Sequence, residues 1–100
     1  MTTFTRTDAF AKWLAGLADA KGKARILARL DAAAFGNFGD CAAVGNGVSE
    51  MRIHTGPGYR VYYTRRAAAL YVLLLAGDKS TQVRDIKSAI KMARELEERA

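Results

Sequence analysis

Cysteine, histidine and proline each occur once in this chain of 100 residues, as Cys41, His54 and Pro57. A single cysteine allows no internal disulfide, and a chain without disulfides is expected in a reducing compartment, the cytoplasm. One Cys and one His cannot assemble the usual tetrahedral zinc site, so no metal and no cofactor are expected. A long hydrophobic run is also missing. The longest, Ala67 to Ala76, is about half of the ~20 residues a bilayer span requires, and no membrane association is expected. The first ten residues lack the apolar core of a signal peptide. Internal repeats, linkers and low-complexity segments are absent as well.

What remains is a chain that is 50% hydrophobic with net charge +6. That size and apolar content predict one domain over residues 1–100, able to bury roughly 60–70% of its unfolded surface. The charge is uneven: residues 1–50 carry 6 Lys/Arg against 5 Asp/Glu, and residues 51–100 carry 10 against 5. A one-sided positive field attracts an anionic partner and speeds encounter with it.

Periodicity predicts the order β-α-α-β-β-β-β-α. Phe4 to Arg6 reads as a first strand. Phe10, Trp13, Leu14 and Leu17 then make one face of a helix capped by Thr7 or Asp8 and ending near Ala18. Asp19 caps a second helix to about Phe35, with Ala24, Leu27, Leu30 and Ala34 on one face and Lys21, Arg25 and Arg29 on another. Gly36 is its stop. The tight join predicts an αα-hairpin. Beyond Gly36 the period changes to that of strands: Asp40 to Val44, Val48 to His54, Tyr59 to Arg65 and Leu70 to Ala76, with Thr55 to Gly58 as a hairpin connection. Ser80 caps a last helix to about Glu98, with Val83, Ile86, Ile90 and Ala93 as its inner stripe. Residues 95–100 form a charged tail expected to fray. The fold class is α+β, a mainly antiparallel sheet of four to five strands with helices over one face.

Strand alternation gives the sharpest functional expectation. If Met51 and Ile53 face the core, then Glu50, Arg52 and His54 face the other way. On the return strand Val61 and Tyr63 face the core, and Arg60, Tyr62 and Thr64 lie opposite. The hairpin thus places Arg52, His54, Arg60 and Tyr62 on one open sheet face, and Lys79 follows the next strand at its border. Arginine forks bind phosphate bidentately, and an exposed tyrosine stacks a splayed base. Cross-strand Glu–Arg pairs on a solvated face are the plainer alternative for the same residues.

The stretch from Gly47 to Thr64, with Glu50-Met51-Arg52-Ile53 and Gly56-Pro57-Gly58-Tyr59-Arg60-Val61-Tyr62 at its centre, resembles the core motif of RelE/ParE-superfamily toxins. So does Leu73 to Gln82. The nearest group is the HigB-like addiction module killer proteins, also described as phage-derived Gp49-like. The resemblance extends from Phe10-Ala11-Lys12-Trp13-Leu14 and Ala24 to Leu30, through Gly36 to Asp40, to the last helix.

It implies the toxin of a bacterial toxin–antitoxin pair. RelE- and HigB-type members cleave mRNA in the ribosomal A site by attack of a 2′-hydroxyl on the adjacent phosphate, without a metal. By the same resemblance Arg60 stabilises the phosphate and transition state, Arg52 holds the basic position on the preceding strand, and Lys79 stands where RelE-type toxins carry an arginine. Glu50 replaces a RelE lysine, Asp85 replaces the final-helix tyrosine, and a HigB-type C-terminal histidine has no counterpart. The base is left open between Glu50 and His54. The implied partners are the ribosome and mRNA, a helix-turn-helix antitoxin, and operator DNA only through that antitoxin. A ParE-like inhibitor of DNA gyrase, acting without catalysis, is the alternative.

A second basic row, Arg84, Lys87, Lys91 and Arg94, lies along the last helix. It reads as a solvated face relieved by Glu95 and Glu98, with Arg84 as a further candidate RNA contact. Trp13 and Tyr63 are expected in the core. Cys41 is expected to act as an inert small hydrophobe.

Overall fold

Two side chains decide where the N-terminal helices begin. The Thr7 hydroxyl accepts from the Phe10 N–H at 3.1 Å and opens α1, Asp8–Ala15. The Asp19 carboxylate accepts from the Gly22 N–H at 3.0 Å and opens α2, Ala20–Ala34. Each cap satisfies a donor that the first turn leaves without a partner. The structure, a computed structural model, describes residues 1–99. Its strands are β1 (Thr3–Arg6), β2 (Cys41–Gly45), β3 (Val48–Ile53), β4 (Tyr59–Ala67) and β5 (Leu70–Asp78). A single 3₁₀ turn, Lys79–Thr81, leads into α3, Gln82–Glu98.

The five strands form one sheet in the order β1-β5-β4-β3-β2. Every pairing is antiparallel except that of β1 with β5, which is parallel. The β3–β4 ladder sets Glu50 opposite Tyr62, Met51 opposite Val61 and Arg52 opposite Arg60. Between β4 and β5 the register shifts at Tyr62/Tyr63, which face Leu75 and Leu73. The extra residue, Leu74, lets Leu74 and Leu75 share one face of the sheet.

The fold class agrees with the sequence, but the layering does not. Helices were expected over one face; they cover both. Phe10, Leu14, Ile26, Leu30 and Ala33 of α1 and α2 pack with Met51, Ile53, Val61, Tyr63 and Leu73 on one side. Ala89 and Ala93 of α3 pack with Val48, Tyr62 and Leu74 on the other. A strand such as β5, buried on both faces, reads as continuous apolar sequence, which conceals the second layer.

Three boundaries and stripes also move. α1 stops at Ala15, short of Ala18, because Gly16 takes the C-cap. α1 packs mainly on β5 and α2 on β3, so the two consecutive helices lie on the same face of the sheet and share one core. In α2 the buried positions are Gly22, Ile26, Leu30 and Ala33, while Leu27 is 39% exposed. The rotation is set at the helix start, where Gly22 lies against the Tyr59 ring and the Tyr59 hydroxyl donates to Asp19 at 2.6 Å.

In α3 the innermost residues are Asp85, Ala89 and Ala93. Ile86 and Ile90 flank them, and Val83, expected inside, is 73% exposed. Gly77 leaves room for the Asp85 carboxylate, so the helix approaches the sheet through small residues. The expected fraying tail is helical through Glu98, held in part by the Arg66 guanidinium donating to the Leu96 carbonyl at 2.9 Å. Ala100 lies outside the described residues. Among those described, no helix is long and apolar enough to cross a membrane.

Candidate functional site

The site grows from the β3–β4 ladder. Alternation sends Glu50, Arg52, Arg60 and Tyr62 to the α3 side, as expected, but that side is not an open face. The first turns of α3 roof it. Glu50 and Tyr62 are fully buried and Arg60 is 8% exposed. Tyr62 therefore does not serve as the exposed stacking ring read from the sequence; it is a core residue whose hydroxyl carries a polar task.

That task is to hold Glu50. Its Oε2 accepts from the Tyr62 hydroxyl at 3.1 Å and from the Gln82 amide at 2.9 Å. Its Oε1 accepts from Arg52 Nε at 3.0 Å and lies 3.9 Å from Arg60 Nε. Burial alone pushes the Glu50 carboxyl upward. The hydrogen bonds from Gln82, Arg52 and Tyr62 and the charge of Arg60 outweigh it, so Glu50 sits below the ordinary glutamate range. Enclosure also raises the Tyr62 hydroxyl, first by desolvation and then by the adjacent Glu50 charge. Glu50 is thus a fixed anion at the centre of two arginines, with no open path to a substrate proton.

Arg60 is the exception to full satisfaction. Its Nε is buried without a hydrogen-bond partner among the described residues, and Nη1 reaches only the Gly58 and Tyr59 carbonyls at 3.5 and 3.4 Å. Buried polar atoms are nearly always paired, so an unpaired one asks for a partner. The guanidinium lines an open groove of about 350 Å³ with His54, Gly56, Gly58 and Lys79. Gly56 and Gly58 both hold positive φ, at 56° and 80°, which brings bare backbone to the groove wall. Lys79 borders the patch, as the sequence suggested, and it joins this groove to a second one of about 490 Å³.

The second groove contains Gln82, Val83, Arg84 and Lys87. Arg84 is 76% exposed at its side chain, with Nε 3.6 Å from Asp85 Oδ1. Lys87, Lys91 and Arg94 are exposed along the same helix. Among the proposed site residues, Arg52, Arg60, Glu50 and Tyr62 form one cluster, and His54 and Lys79 share its groove. Arg84 lies in the next groove, outside the Glu50 cluster.

Sequence reasoning missed Gln82, Asp40 and Arg29. Gln82 follows the last strand with no local signal that it reaches Glu50. Asp40 Oδ2 meets His54 Nε2 at 2.6 Å. The carboxyl of Asp40 is held low, chiefly by that hydrogen bond, with Arg52 and Arg29 also contributing. The helix period places Arg29 with Lys21 and Arg25, away from the apolar face, and assigns it no task. Its guanidinium instead donates to the carbonyls of Arg52, Phe38 and Asp40, joining α2 to the start of β2 and the end of β3.

Known proteins match along most of this sequence. Residues 12–98 match the family described as phage derived protein Gp49-like (DUF891). A protein of Haemophilus influenzae described as an uncharacterized protein is 48% identical over 90 residues, which is 90% of this chain and 91% of the relative. With nearly the whole sheet and all of α2 and α3 inside the match, the chain belongs to the Gp49-like family, within the RelE/ParE-like toxin superfamily of addiction module killers.

Proposed function

We propose that this protein is the toxin of a type II toxin–antitoxin pair and that it acts in the cytoplasm as a ribosome-dependent mRNA endoribonuclease. The observation that carries the reading is the buried, incompletely bonded guanidinium of Arg60, opening on a groove that also holds Lys79. Such an arrangement favours a phosphate: the anion supplies the missing acceptor, and negative charge developing on its oxygens is stabilised by cations already in place. Glu50 positions Arg60 and Arg52 rather than abstracting a proton, because both its oxygens are engaged and its pKa is lowered. Lys79 supplies a mobile point charge at the groove rim, and the exposed row from Arg84 to Arg94 meets the surrounding RNA backbone.

A helix-turn-helix antitoxin is the expected partner, and operator DNA is reached only through it. The test is induction of the wild type and of Arg60→Ala in cells, with mapping of transcript 5′ ends. Codon-phased cuts that vanish in the variant are the expected result. Intact mRNA together with an SOS response would instead identify a gyrase inhibitor.

A further inference from the structure

Cleavage by a 2′-hydroxyl needs a group that takes its proton, and the Glu50 cluster does not contain one. Glu50 is enclosed, and both its oxygens already accept hydrogen bonds. Tyr62 is buried with its hydroxyl committed to Glu50, and the Tyr59 hydroxyl is committed to Asp19 on the far side. Arginine does not exchange protons in proteins. The groove itself contains one imidazole, His54, with a side chain 67% exposed. An imidazole is the side chain that trades protons near neutral pH.

We infer that His54 is the proton-transfer group of this site and that Asp40 is its positioning residue. The inference rests on the endoribonuclease reading above. Asp40 Oδ2 engages Nε2 at 2.6 Å. In the neutral ring that bond fixes the hydrogen on Nε2 and leaves the Nδ1 lone pair to accept a proton, the tautomer selection that an acid partner performs for a catalytic histidine.

The acid is not on a loose loop. The Asp40 carbonyl accepts from the Arg52 N–H at 2.9 Å and from Arg29 Nη2 at 3.2 Å. The adjacent Gly39 has φ +67°, and a side chain there would meet the Arg29 guanidinium at 2.8 Å. The charged groups around the dyad come from four elements: Arg29 of α2, Arg52 of β3, Arg60 of β4, and Lys79 of the 3₁₀ turn.

In the step, Nδ1 takes the 2′-hydroxyl proton while the 2′-oxygen bonds to phosphorus and the P–O5′ bond breaks. The products are a 2′,3′-cyclic phosphate and a 5′-hydroxyl. The departing 5′-oxygen draws its proton from solvent, and the imidazolium returns its own to solvent.

The test is single-turnover cleavage of mRNA on programmed ribosomes across about pH 5 to 8, comparing the wild type with His54→Ala and Asp40→Asn. The wild-type rate rises with pH to a plateau as the ring loses its proton. His54→Ala lowers the rate by about 10²-fold or more, loses the acid limb, and regains activity with added imidazole. Asp40→Asn keeps binding but lowers the rate of the bound turnover, because the ring is no longer held with its hydrogen on Nε2. A purely structural role for Asp40 would lower affinity and stability along with that rate. Wild-type cleavage undiminished in His54→Ala, with the same pH profile, overturns the dyad alone. No cleavage by the wild type overturns the endoribonuclease reading and the dyad with it.

Discussion

Glu50 is a single residue whose charge the surrounding chain goes to some length to keep. A carboxylate with no exposure is costly to bury, and the cost is offset only when partners occupy both oxygens. Glu50→Gln keeps the shape but leaves Arg60 facing a neutral group in a closed site. It should lower unfolding free energy by about 3 kcal/mol at pH 7, read from urea denaturation. Because the folded pKa of Glu50 is depressed, its stabilisation is present above the unfolded glutamate value of about 4.3. That stabilisation is lost as pH falls through the lower folded value. The gap between the two proteins should therefore narrow below about pH 4; a constant gap would show that Glu50 is not ionised in the fold. Gly22 offers a second check. Alanine is favoured in a helix by about 1 kcal/mol, but a Cβ here would strike the Tyr59 ring and Asp19. Gly22→Ala should lower the melting temperature, where propensity alone predicts a rise.

The elements show where sequence reading succeeds and where it stops. Strand parity was legible: Met51, Ile53, Val61 and Tyr63 face one way and Glu50, Arg52, Arg60 and Tyr62 the other, because a two-residue period leaves no other choice. The cap at Asp19 was legible for a similar reason, being local chemistry. What covers a face is not local. The position of α3 depends on Gly77 admitting Asp85, on Leu74 bulging between strands, and on Gln82 reaching Glu50 across 32 residues. None of these leaves a periodic trace, so a roofed cluster was read as an open patch.

The same reasoning locates Arg29, a residue on the helix face with Lys21 and Arg25 that fastens three carbonyls. Arg29→Ala should reduce stability by about 2 kcal/mol. It should also speed amide exchange selectively in the segment from Phe38 to Cys41, sparing the β4–β5 ladder. Uniform acceleration would mean that Arg29 supports the whole fold rather than this junction.

At the scale of the molecule the charge divides into the Glu50 cluster, with Arg60 buried and Arg52 partly exposed, and an exposed helical row. The two should respond differently to salt, because exposed charges are screened beyond a Debye length and enclosed ones are not. Replacing Lys87, Lys91 and Arg94 together should weaken association with ribosomes and flatten its salt dependence. The rate of a single bound turnover should stay nearly unchanged. A loss of that rate instead would move the chemistry onto α3. The sheet order adds a consequence of another kind. Thr3 to Arg6 pair with Leu70 to Leu73, and Glu50 receives Gln82 from the far end of the chain. A nascent chain therefore has no complete site until α3 has been synthesised and has closed over the sheet. Whatever the site acts on, the order in which the residues are made holds it back until α3 is in place.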